Sequence, residues 1–189
     1  MNISMMKMKL RDLFGDSPRI KIIEFFLLHS GEQFSLTEIS HKTKVSLGSA
    51  YVHCKDLEKK DFILKEQKGK STYYQLRRKE RMVKELKRFY NLNFGLLNLF
   101  LKKIPAETVQ KIILFGSAAR GEDHPDSDFD LLIIGKIPVS TAFLLANSLS
   151  AERKISLIVR SPEEYLSMPQ REETLWKKIQ SEGVIVYES

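Results

Sequence analysis

Cysteine is almost missing from this chain of 189 residues, and Cys54 stands alone. A lone thiol closes no internal disulfide, so the expected setting is a reducing, cytoplasmic one. No Cys/His spacing suits zinc. Long apolar runs are missing too. The longest, Ile22–Ile23 with Phe25–Leu28, is broken by charge. It falls far short of the roughly 20 residues a membrane helix needs, so no membrane partner is expected. The segment from Met1 to Arg11 mixes lysine with methionine and has no continuous apolar stretch, which argues against a signal peptide. Internal repeats and low-complexity tracts are also lacking. With 42% hydrophobic and 29% charged residues, the chain can build two modest cores but not one large enzyme core.

Positive charge is present, and unevenly. Of the net +7, residues 1–103 carry 22 Lys/Arg against 11 Asp/Glu, a balance of +11, while the remainder balances at −4. A basic half suits a polyanion, because each neutralised phosphate releases counterions. A soluble basic surface without such a partner has the same composition.

Periodicity divides the chain. Ile20 to Leu28 has helical spacing, with Pro18 at its start and Gly31 at its end. Phe34-Ser35-Leu36 reads as an extended link. Thr37 to Lys44 reads as a short helix, with Ser35 or Thr37 near its cap. After the break Lys44-Val45-Ser46, a third helix runs through Lys60, with Leu47, Ala50, Cys54 and Leu57 as its buried stripe. The period then changes to strand-like in 62–66 and 72–76, around the basic turn 67–71. Residues 79–103 read as one long amphipathic connector helix. Met82, Val83, Leu86, Phe89, Tyr90 and Leu92 form its apolar side, and Leu96, Leu97, Leu99, Phe100 and Leu101 thicken it. So greasy a helix packs either on the chain's own two domains or on a second copy, as a homodimer. Beyond Pro105, strands are expected at 111–115, 129–134, 155–159 and 184–187. Helices are expected at 139–150, 162–167 and 172–181. The expected class is therefore a mixed α+β and α/β chain of three parts, residues 1–78, a connector 79–104, and a small mixed sheet over 105–189.

The stretch from Phe34 to Ile63 resembles the winged helix-turn-helix family of transcription regulators. The resemblance rests on Leu36-Thr37-Glu38-Ile39-Ser40, Val45 to Tyr51, and Leu57 to Ile63. It implies DNA as a partner, with the third helix in the major groove. Ser46 and Ser49 would then meet phosphate or base edges, Lys55 the backbone, and Lys68 and Lys70 of the wing the adjacent phosphates. Val52 departs from the pattern, standing where such helices often carry a long polar or basic residue. His41, Lys42 and Lys44 read as a solvated face.

The richest stretch is Ile112 to Glu122, followed by Ser127 to Ile133. A buried strand runs into Gly116-Ser117. Glycine admits a phosphate close to the backbone, and the next N–H groups with the Ser117 hydroxyl can hold a nucleoside triphosphate. Asp128 and Asp130 are two apart, so a strand would point both to one face. Side by side, they call for a cation, and Mg²⁺ prefers carboxylates combined with nucleotide phosphates. Glu122, Asp123, His124 and Asp126 read as a solvated loop. These motifs, with Ala119-Arg120-Gly121, are similar to the minimal nucleotidyltransferases of the DNA polymerase beta superfamily. The resemblance implies Mg²⁺-dependent transfer of a nucleoside monophosphate through one or two metals, with Arg120 pairing a carboxylate or phosphate.

Active members of that family carry a third carboxylate on the strand after the crossover helix, and here the matching position is Ser156. A hydroxyl cannot take up a proton near pH 7 unaided. Glu152, Glu163 and Glu164 are nearby in sequence, but Glu152 should end the preceding helix and Glu163 begin the next, so neither of these two obviously points at Asp130. Three readings stay open: a DNA-binding regulator that senses a nucleotide, an active enzyme adenylylating a protein or small molecule, and an antitoxin paired with a small helical protein.

Overall fold

The computed structural model describes residues 9–149 and 153–189. The expectations for Met1 to Met8, Ser150, Glu152 and the side chain of Leu96 fall outside this set.

The N-terminal unit consists of α1 (Leu10–Phe14), α2 (Pro18–Leu28), β1 (Phe34–Ser35), α3 (Leu36–Thr43), α4 (Leu47–Lys59), β2 (Ile63–Lys68) and β3 (Ser71–Leu76). Its helix starts are chemically marked. Ser17 accepts from the Ile20 N–H ahead of Pro18, and Ser35 forms a reciprocal capping box with Glu38. Lys44 ends α3 in the left-handed region, at φ 56°. The three strands form one antiparallel sheet in the order β1-β3-β2. Phe26, Ile39, Ala50, Cys54 and Ile63 are fully buried between helices and sheet. From α2 onward the order helix, helix, helix, strand, basic turn, strand read from the sequence is the observed one, whereas α1 is unexpected, and two details differ. The strands extend to Lys68 and Ser71, so the turn shrinks to Gly69-Lys70. Leu47 is 53% exposed rather than buried, because it begins α4 beyond the reach of the core that Ala50, Cys54 and Leu57 enter.

The connector is two helices, α5 (Arg81–Asn93) and α6 (Gly95–Lys103), not one. Phe94 breaks it in an extended conformation, φ −130° and ψ 171°, with its buried ring stacked on Tyr90. The reason is packing. Val83, Tyr90 and Phe94 belong to the N-terminal core, whereas Leu97 and Phe100 belong to the C-terminal one. The break lets each half serve its own core. The chain covers Val83, Tyr90, Leu97 and Phe100 itself, while Met82 (54%) and Phe89 (37%) stay exposed on α5.

The C-terminal unit contains β4 (Val109–Phe115), α7 (Gly116–Arg120), β5 (Phe129–Gly135), α8 (Val139–Leu149), β6 (Ile155–Arg160), α9 (Pro162–Arg171), α10 (Glu173–Glu182) and β7 (Val184–Glu188). The sheet order is β6-β5-β4-β7. Only the β5–β6 pair is parallel, which makes the sheet mixed as expected. Alternation along the strands sorts the side chains. Ile112, Leu114, Leu131 and Ile133 pack with residues of α6 and α8. Ile113, Phe115, Leu132 and Ile134 pack with Met168 of α9 and Ile179 of α10. Asp130 and Ser156 share the parity of Leu132 and Ile158, so they lie on the face that α9 and α10 cover. Among the described residues, no helix is long and apolar enough to cross a membrane.

Candidate functional site

Register builds the site. Phe115, the last residue of β4, pairs with Asp130 of β5, so the turn that follows faces that carboxylate. Gly116 has φ +73°. A Cβ there would overlap Asp130 Oδ2 and lie 3.3 Å from Asp130 Cγ. Backbone and carboxylate thus approach as closely as only glycine allows. Asp128 lies just outside β5 rather than on it, because the strand begins at Phe129. It forms an ion pair with Lys154 at 2.9 Å. Ser117 and Arg120 follow in α7, and Ser156 sits in register beside Asp130. Glu163 and Glu164 are engaged with Ser161 at the start of α9.

The Asp130 carboxyl is raised above its ordinary value. Burial is the main cause, and Asp128 and Glu182 add to it against the opposing pull of Lys178 and Lys154. Its negative charge is under-compensated, a condition that a bound cation relieves.

Two side chains at the site have no counterpart in the motifs. Glu182, at the end of α10, accepts a 2.8 Å hydrogen bond from the Gly116 N–H and forms an ion pair with Arg120. Arg120 also pairs with Glu122 at 2.9 Å. One helical turn before Glu182, Lys178 lies 5.3 Å from the centre of the Phe115 ring and 3.9 Å from Glu182 Oε1. The apolar spacing of Leu175 and Ile179 marks the inward stripe of α10, but it does not say which strand ends the helix meets.

The loop read as solvated is so only in part, for Asp123 is buried. Asp123 is 1% exposed and bonds Arg153 (2.6 Å), Asn91 (2.6 Å) and Lys87 (3.2 Å), and Lys87 is itself 4% exposed. Burial alone would raise the Asp123 carboxyl, but Lys87 and Arg153 outweigh it and hold the group below its ordinary value. Ser30 donates to the Asp123 carbonyl, Arg78 donates to that of Glu122, and Lys84 pairs with the Glu122 side chain at 2.6 Å. At Gly121, a side chain would press into the backbone of Lys84 and Arg88. The loop between the two site motifs is therefore clasped by α5 and the N-terminal unit. The cause of the misreading is physical: the polar loop finds its partners in residues distant in sequence. Asp126 and His124 do face solvent.

The candidate DNA contacts lie on the N-terminal unit. Ser46 caps α4 by accepting from the Ser49 N–H. Lys55 is exposed, 5.8 Å from the Tyr51 ring centre, and Val52 beside it is 60% exposed. Lys68 and Lys70 are exposed at the hairpin tip, where Lys68 also bonds Gln33. The structure does not bring these residues together with the Gly116–Asp130 site, which belongs to the other unit.

Residues 95–186 match the family model of the nucleotidyltransferase domain. The match begins where the connector breaks, ten residues before the boundary expected at residue 105. No curated relative matches the chain. Among solved structures, a chain of a toxin–antitoxin complex with AMP-PNP is 20% identical, with 50% of this chain and 71% of that one covered and a TM-score of 0.35. A chain of the tri-AMPylated Shewanella oneidensis HEPN toxin in complex with MNT antitoxin is 17% identical, covering 54% and 73% at TM-score 0.34. Reduced HlyU from Vibrio cholerae is 16% identical, covering 43% and 81% at TM-score 0.34.

Proposed function

We propose that this chain is a DNA-binding regulator whose C-terminal domain binds a nucleoside triphosphate with Mg²⁺ and does not efficiently turn it over. One observation carries the nucleotide half: the Gly116 turn and the Asp130 carboxylate face each other in one place, so phosphate and metal can share a pocket. Gly116, Ser117 and Arg120 would hold phosphate, and Asp128 and Asp130 the metal. Among the described residues, no group of three or more His, Cys, Asp or Glu side chains is placed to hold a metal. Two carboxylates completed by nucleotide phosphates fit Mg²⁺, which is commonly held that way. When bound, the metal would neutralise phosphate charge and polarise it towards attack.

Ser156 supports the non-catalytic reading. It stands next to Asp130, where a third acid would complete the site, and a hydroxyl supplies neither base nor charge. The test is pyrophosphate release from ATP with Mg²⁺. Wild type is expected to bind nucleotide with little release, and Ser156→Asp to raise release. Fast release by the wild type, abolished in Asp128→Ala, would make the chain an enzyme instead.

The N-terminal unit serves in this reading as a winged helix, with α4 toward the major groove and the Gly69–Lys70 hairpin as the wing. The element order and the +11 charge of residues 1–103 support it. Lys68→Ala with Lys70→Ala is expected to weaken DNA binding at every sequence tested. It should also flatten the salt dependence by about 0.9 in log–log slope for each phosphate no longer neutralised. An unchanged slope removes the wing from the interface.

A further inference from the structure

We propose that the end of α10 is a latch on the nucleotide site: the Glu182 carboxylate holds Gly116 and Arg120 in place of phosphate, and a nucleoside triphosphate enters by displacing it. The inference rests on the nucleotide-binding reading. Glu182 bonds two of the three groups assigned to phosphate, the Gly116 N–H at 2.8 Å and the Arg120 guanidinium. The acidic side of the pocket is answered in the same way. Lys154 pairs with Asp128 at 2.9 Å. The anion subsite is thus filled by the chain's own carboxylate, and the Asp128 half of the cation subsite by its own ammonium group.

Release needs no unfolding. The Glu182 side chain is 14% exposed and has three rotatable bonds. Leu175 and Trp176 anchor α10 about two turns before Glu182, and Ile179 anchors its last turn. A merely structural Glu182, which holds Arg120 ready for phosphate, makes the opposite forecast, because its removal would weaken binding.

The experiment is calorimetric titration of the full chain with AMP-PNP and Mg²⁺, for wild type, Glu182→Gln and Glu182→Ala. Thermal melts confirm that each variant is folded. Both variants are expected to bind at least tenfold more tightly than wild type. Nucleotide binding that appears only in the variants also supports the latch. Equal or weaker binding by folded variants, with wild type still binding, overturns the latch and leaves the nucleotide site standing. No binding by any of the three overturns both. Glu182→Gln, close in size to the native side chain, decides the matter should Glu182→Ala melt.

Discussion

Asp123→Ala is expected to destabilise the fold by about 3–5 kcal/mol, the scale seen when one partner of a buried ion pair is removed. In a chain of this length that is a fall in melting temperature of roughly 6–20 °C. The cost does not come from the missing attraction alone. Lys87 and Arg153 stay behind in a site with almost no water, and the Lys87 ammonium already lies below its ordinary pKa, mainly through burial. Asn91 keeps its hydrogen bond to the Ala118 carbonyl but loses the one to Asp123. The same cluster gives the fold an acid limit. The Asp123 carboxyl is depressed in the folded state, so its contribution is complete above the ordinary carboxylate range. It is lost as pH falls through the lower, folded value. Thermal melts of wild type and variant should therefore converge toward low pH. A variant that melts with wild type at neutral pH would show that the cluster is not buried as described.

Gly116→Ala is expected to lower affinity for AMP-PNP with Mg²⁺ by about 10–100-fold, the range seen when the support of a metal ligand is altered. Two effects combine. At φ +73° an alanine pays roughly 1–2 kcal/mol for a left-handed backbone. Its methyl group also falls where Asp130 Oδ2 lies, so the carboxylate must turn away. Calorimetry separates this from misfolding when paired with a melt, since the strain should lower stability far less than Asp123→Ala does. Unchanged affinity in a folded variant would mean that Asp130 takes no part in holding the nucleotide.

What was legible in the sequence was local. The strands around 111–115 and 129–134 announce themselves by buried apolar runs. Gly116, Ser117, Asp128 and Asp130 fall within fifteen residues, and one antiparallel pairing brings them together. The sequence narrows the start of α3 to Ser35 or Thr37, and the cap is Ser35, in a reciprocal box with Glu38. What was not legible depends on tertiary placement. Glu182 lies 66 residues from Gly116 and reaches it only because α10 packs on one face of the sheet. Asp123 sits in a run of polar residues that composition assigns to solvent, while its partners come from α5 and from Arg153, just before β6. The break at Phe94 was hidden because the apolar residues continue on both sides of it. A run of apolar residues does not record that the helix has changed cores.

The most direct measurement is a crystal structure of the full chain grown with AMP-PNP and Mg²⁺. The expected result has the triphosphate against Gly116, Ser117 and Arg120, with at least one metal bridging it to Asp128 and Asp130. A nucleotide bound elsewhere, or phosphates in this pocket with no metal on either aspartate, would contradict the assignment.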